Sequence, residues 1–157
     1  LVVLPPAIRE ARSVAKILVV DDDPVMQLTI QRVLEQAGHA VGIASDGQKA
    51  LARFGSERFD LVILDIFMPG MDGLEAMRMI LKQTPGVPII MTSGRSHAPN
   101  SVSEPDYLTM ATKLGAVSAL PKPFKPATLL AMVSDCLASA GKPSAPPRPG
   151  NDAVPNS

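Results

Sequence analysis

The sequence predicts an α/β fold, a doubly wound parallel sheet, and three observations carry that prediction. Short apolar runs of strand length alternate along the chain with segments whose apolar residues recur every three or four positions. Such alternation implies parallel strands, right-handed crossovers and a sheet covered on both faces. The run Leu61-Val62-Ile63-Leu64 is continuously apolar, as a strand buried on both faces must be. Finally, the runs close on polar residues followed by Pro or Gly. In open α/β sheets the carboxyl ends of the strands are where ligands bind.

A chain of 157 residues suits one domain with a real core. Hydrophobic residues make up 46% of it and aromatic residues only 3%, so the expected core is aliphatic, built from Val, Ile, Leu and Met. The formal net charge is zero and no basic run occurs, which argues against non-specific attraction to nucleic acid or to a membrane surface. The single cysteine, Cys136, rules out an internal disulfide, and no Cys/His cluster marks a zinc site. Its place in an apolar helical stripe predicts a buried structural thiol. No apolar run is long enough for a signal peptide or a bilayer span, and a soluble cytoplasmic protein is expected.

Residues 1–15 hold no complete element and are expected to be a flexible extension broken by Pro5-Pro6. The compact domain is expected over 16–140. Lys16 to Val20 makes the first strand, and Asp23-Pro24 starts a helix, Asp as N-cap and Pro at the first helical position. Met26, Ile30, Val33 and Ala37 share one face of that helix, and Gly38 stops it. His39 to Ala44 is a weaker strand nearer a sheet edge, with His39 facing solvent. Asp46-Gly47 opens a short helix with Ala50, Leu51 and Phe54 inward. The strand ending at Asp65 follows, then a helix from Asp72-Gly73 with Leu74, Met77, Ile80 and Leu81 inward. Val87 to Thr92 is the fourth strand, closing on Ser93-Gly94, and a long polar loop occupies 94–104. A helix through Tyr107, Met110, Ala111 and Leu114 leads to a fifth strand, Val117 to Leu120. The last helix, after Pro126, aligns Leu130, Val133 and Leu137. Residues 141–157 are Pro-rich and poor in large apolar side chains, and a disordered tail is expected there.

With strand order 2-1-3-4-5, a flavodoxin-like (βα)5 arrangement, the ends of strands one, three, four and five lie together. They deliver Asp21 and Asp22, Asp65, Ser93 and Lys122. Three carboxylates in one pocket raise each other's pKa unless a cation is present. A hard ion such as Mg²⁺ suits, since it takes a few carboxylates, keeps several waters and completes its shell with other oxygens. An anion held between that ion, an ammonium and a hydroxyl fits a phosphoryl group. Asp65 then acts as a nucleophile that forms an acyl phosphate, Asp21 and Asp22 hold the ion, and Lys122 and Ser93 meet the phosphoryl oxygens.

At these residues the chain resembles the bacterial response regulator receiver domain, the phosphoacceptor of two-component signalling. The matching segments are Ile17 to Pro24, Leu64 to Gly73 (Leu-Asp-Ile-Phe-Met-Pro-Gly-Met-Asp-Gly), Pro88 to Gly94, and Gly115-Ala116 with Leu120 to Phe124. The resemblance implies that Asp65 accepts phosphoryl from a sensor histidine kinase or a histidine phosphotransfer protein. It further implies that Asp22 binds Mg²⁺ directly and Asp21 mainly through water, and that the main-chain carbonyl of Phe67 is another ligand. Ser93 becomes the switch hydroxyl, and the Lys122-Pro123 bond is expected to be cis. An output protein is implied but not identified, and direct contact with nucleic acid or membrane is not expected. The chain departs from the family at Ala119, where many relatives carry a Tyr or Phe, in the lengthened loop with Pro99, and at Phe67 and its counterpart Arg95, which flank the pocket.

Simpler readings compete for several residues. Asp23 is a helix cap rather than a ligand, Asp72-Gly73 is a turn and helix start outside the site, and His97 is assigned no role. Arg53, Arg58, Arg78 and Lys82 read as solvated faces. A metal-dependent phosphohydrolase working through an aspartyl phosphate is the rival function. It would need a second acid two residues past the nucleophile, where Phe67 stands and cannot do general acid work. A nucleotide or flavin module would need a Gly-rich phosphate loop after the first strand, which is lacking.

Overall fold

The apolar runs pair as parallel strands, β1 (Lys16–Val20), β2 (Ala40–Ala44), β3 (Leu61–Asp65), β4 (Ile89–Ser93) and β5 (Ser118–Pro121). Their order in the sheet is β2-β1-β3-β4-β5, as the sequence predicts. The structure is a computed structural model that describes residues 14–94, 113 and 115–140. The expectations for 1–13, for the loop from Arg95, for the helix through Tyr107 and for the tail from Gly141 lie outside those residues.

Among the described residues the helices are α1 (Pro24–Gln36), α2 (Gly47–Ser56), α3 (Gly73–Gln83) and α4 (Pro126–Ala140). Three of them begin on an aspartate that satisfies a backbone N–H left unpaired in the first turn. Asp23 accepts from Val25 N at 3.0 Å, Asp46 from Lys49 N at 2.7 Å and Asp72 from Glu75 N at 2.8 Å. Gly38, at φ +96°, takes the left-handed conformation that ends α1.

Strand alternation divides the core in two. Ile17, Val19, Leu61, Ile63, Ile90 and Leu120 face α1 and α4 and pack with Ile30, Leu34, Leu129, Val133 and Cys136. Leu18, Val20, Val62, Leu64, Ile89 and Met91 face α2 and α3 and pack with Ala50, Phe54, Met77 and Ile80. All five residues of β3 and of β4 are buried, so these central strands are covered on both faces as predicted.

Several expectations need correction. On α1 the buried positions are Ile30 and Leu34; Met26 and Val33 flank them, and Ala37 is an exposed cap. On α4 they are Leu129, Val133 and Cys136, with Leu130 and Leu137 at the margin. Val117 precedes β5 and is 51% exposed. His39 is half-buried and its Nδ1 accepts from Ala15 N at 3.3 Å; burial holds the imidazole below its usual range. Arg53 is not a free solvated charge. It donates to Glu57 at 2.9 Å and to the Ile43 carbonyl at 3.0 Å, and lies 5.9 Å from the Phe59 ring centroid. With Lys16 also on Glu57 at 2.8 Å, these two cations pull the Glu57 carboxyl down to about 2, Arg53 first.

Candidate functional site

The carboxyl ends of β1, β3, β4 and β5 open on one edge of the sheet because these strands are parallel neighbours. Backbone hydrogen bonds continue the sheet into the loops there. Ile66 N donates to Thr92 O at 2.9 Å, Lys122 N to Ser93 O at 2.8 Å, and Asp21 N to Ala44 O at 3.2 Å. Each predicted site residue is thereby carried on a stretch of chain tied to its neighbour rather than on a free loop.

Three carboxylates converge on this edge. Asp21 (1% exposed) and Asp65 (4% exposed) are buried, while Asp22 is exposed. One oxygen from each lies within 4.8 Å of the others. The Lys122 ammonium reaches in from the loop after β5, 2.6 Å from Asp21 Oδ2 and 3.6 Å from Asp65 Oδ2. The Lys122-Pro123 bond is cis, as expected. Asp21 Oδ1 also accepts from Asp23 N at 2.9 Å, and its main-chain carbonyl accepts from Gln27 Nε2 at 2.5 Å. Phe67 N donates to Asp65 Oδ1 at 3.3 Å, while the Phe67 side chain is 41% exposed.

Burial raises the Asp65 carboxyl to about 6; Lys122 opposes the rise, the negative charges of Asp21 and Asp22 add to it, and the Phe67 N–H works against it. With all three carboxylates ionised, one ammonium leaves two negative charges uncompensated, which is the charge of one divalent cation. The donor set is oxygen only, which selects a hard ion such as Mg²⁺ over zinc or copper. The residues present therefore fit a hard divalent ion held by Asp21, Asp22 and Asp65.

Ser93 is fully buried, and its Oγ has no hydrogen-bond partner among the described residues. A buried hydroxyl left unpaired is costly, and this one stands at the end of β4, where the Ser93 main-chain carbonyl accepts from Lys122 N. Asp21, Asp22, Asp65, Ser93 and Lys122 are thus brought together at one strand edge, with the Phe67 backbone against Asp65.

Two features escaped the sequence reading. A Cβ on Gly73 would stand 2.2 Å from the Asp65 carbonyl oxygen and 2.7 Å from Ile66 Cα, and Gly73 N donates to Ile66 O at 2.8 Å. The start of α3 therefore rests directly on the peptide that carries Asp65, although Asp72-Gly73 reads in sequence as a remote turn. A Gly at the first helical position, where helix propensity disfavours it, was the available signal. The second is Gln27, whose partner is a main-chain carbonyl and so left no pattern to find.

A family profile described as response regulator receiver domain matches residues 17–134. "Response regulator MprA" of Mycolicibacterium vanbaalenii is 40% identical over 116 residues, covering 74% of this chain and 47% of that protein. The alkaline phosphatase synthesis transcriptional regulatory protein PhoP of Bacillus subtilis is 34% identical over 122 residues, 78% of this chain and 48% of that protein. The chain thus spans about half the length of these relatives. Among solved structures, Vibrio cholerae chemotaxis protein CheY4 aligns with a TM-score of 0.69 at 32% identity, over 79% of this chain and 99% of that one. The receiver domain of NtrX from Brucella abortus aligns with a TM-score of 0.71 at 33% identity, over 78% and 98%.

Proposed function

The chain belongs to the response regulator receiver domain family, the phosphoacceptors of two-component signalling, and from that premise we propose that Asp65 is its acceptor. The observation that carries this reading is the Lys122 ammonium lying between the two buried carboxylates, Asp21 and Asp65. The receiver unit is taken as residues 16–140 and its place of action as the cytoplasm. The donor is a phosphohistidine on a sensor histidine kinase or a histidine phosphotransfer protein. The output is a protein surface whose shape depends on the phosphoryl group.

Asp65 attacks phosphorus in line with the phosphorus–nitrogen bond of the donor. A phosphorus–oxygen bond forms as the phosphorus–nitrogen bond breaks, and the imidazole nitrogen keeps the electron pair and takes up a proton from water. The carboxyl raised to about 6 is ionised at neutral pH yet poorly solvated, which favours it as a nucleophile. Asp21, Asp22, Asp65 and the Phe67 carbonyl would hold Mg²⁺, which would supply neutralisation of the negative charge gathered there. Lys122, 3.6 Å from Asp65 Oδ2, balances a phosphoryl oxygen. The buried Ser93 hydroxyl donates to another and so gains the partner it lacks among the described residues. Contacts made by Ser93 and Lys122 in only one of two conformations are what shift the population between them.

Turnover as a phosphohydrolase is not favoured. The side chain two residues past Asp65 is Phe67, an exposed aromatic with no proton to give a leaving group. Phosphoramidate, a small donor with the same phosphorus–nitrogen bond, separates the two readings. With Mg²⁺ the wild type is expected to take one phosphoryl group per chain by intact mass, and Asp65→Asn none. Sustained phosphate release from many donor molecules per chain would favour the hydrolase, and continued labelling of Asp65→Asn would assign the wrong acceptor.

A further inference from the structure

We propose that Gln27 is a positioning residue for the divalent cation, acting through the peptide that joins Asp21 to Asp22. The inference rests on the cation site proposed above and concerns a residue outside the acidic cluster. Asp21 is held from four directions. Its N–H donates to Ala44 O, its Oδ1 accepts from Asp23 N, its Oδ2 pairs with Lys122, and its carbonyl accepts from Gln27 Nε2. The first three fix the Asp21 main chain and side chain. Only the fourth acts on the carbonyl of the Asp21–Asp22 peptide, and so on the plane from which the exposed Asp22 carboxylate departs.

Asp22 needs that help more than its neighbours. Asp21 and Asp65 are buried and held by Lys122, whereas Asp22 is exposed and its carboxylate has no hydrogen bond or ion pair among the described residues. A carboxylate that must meet two others around one ion is placed by its backbone alone. Gln27 can steer that backbone because it stands on the first turn of α1, where Gln27 N donates to Asp23 O at 2.9 Å. It is half-buried, while Val25 and Leu28 beside it are 72% and 49% exposed. The helix start thus serves as a rigid post, and its one inward polar side chain reaches back over the loop. Groups that orient metal ligands without touching the metal govern affinity in this way.

The test follows Mg²⁺ titration of the full chain by backbone amide resonances at neutral pH. Gln27→Met keeps the length and removes the N–H donor, Gln27→Arg restores a donor, and Gln27→Ala serves if the Met variant does not fold. Loss of the donor is expected to weaken Mg²⁺ binding about tenfold, with Gln27→Arg returning to within about twofold of the wild type. In the metal-free protein the Asp22 amide nitrogen, which shares the peptide with the Asp21 carbonyl, is expected to shift in Gln27→Met and to return in Gln27→Arg. Undiminished affinity in Gln27→Met, or a Gln27→Arg variant as weak as Gln27→Met, would overturn the inference. A wild type that binds no Mg²⁺ would remove the cation site itself, and the inference with it.

Discussion

Asp65 sits in an environment that works against its charge. Its carboxyl is raised from an ordinary 3.8 to about 6, chiefly by burial. The folded state therefore holds this proton more tightly than the unfolded chain does. Below about pH 4 both states are protonated and Asp65 contributes nothing. Between about 4 and about 6 the unfolded chain sheds its proton first, and stability falls as pH rises. Above that window the ionised Asp65 carboxylate carries its full penalty, up to about 3 kcal/mol. Asp65→Asn is expected to be more stable than the wild type at neutral pH in chelator, by about 1–3 kcal/mol, with the gap closing toward pH 4. Denaturant melts at the two pH values check this; a variant equally stable or less stable at neutral pH would contradict it. Asp65, Asp21, Asp22, Ser93 and Lys122 were all legible as polar residues at the ends of apolar runs, and the structure places them at one edge of the sheet. Arg53 and Gln27 were not, because their partners include main-chain carbonyls, which every sequence offers at every position.

Elements explain the next group of successes and errors. Asp23, Asp46 and Asp72 were legible as helix starts because capping depends on local spacing alone. On α4 the expected Leu130 and Leu137 each stand one position past a buried residue, Leu129 and Cys136, although Cys136 itself was legible as a buried thiol. Leu129 and Leu130, and Cys136 and Leu137, are adjacent apolar pairs, so periodicity leaves the choice to the sheet, which takes Leu129 and Cys136. On α1 the same ambiguity between Val33 and Leu34 was settled toward Leu34. The contact between α3 and β3 makes a sharper claim. Gly73→Ala forces a methyl into the Asp65 carbonyl, where the nearest atoms are backbone and cannot swing aside. Overpacking of this kind costs about 1–3 kcal/mol, and the displaced Asp65 peptide is expected to slow phosphoryl uptake as well. Gly55→Ala, on the exposed side of α2 with nothing within 4 Å of the added methyl, is expected to stabilise by about 0.5–1 kcal/mol. Thermal melts of the two variants should move in opposite directions; a Gly73→Ala melt at or above the wild type would mean α3 does not bear on the acceptor.

At the scale of the whole molecule, strand order makes the site. Lys122 and Asp21 are 101 residues apart in sequence and meet because β1, β3, β4 and β5 run side by side with their carboxyl ends level. That order was legible because unbroken α/β alternation leaves few ways to wind a parallel sheet. The lysine's share between Asp21 and Asp65 was not, because it depends on ångström-scale placement of two loops. No helix among the described residues is long and apolar enough to cross a membrane. The central claim is that these ends assemble one phosphoryl acceptor, and its chemistry can be read directly. Borohydride reduces an aspartyl phosphate to homoserine, so the chain can be treated with phosphodonor and Mg²⁺, reduced, digested and sequenced by mass spectrometry. Homoserine at position 65, absent when Mg²⁺ is chelated, is the predicted result; homoserine at 21 or 22, or at no position, would contradict the account.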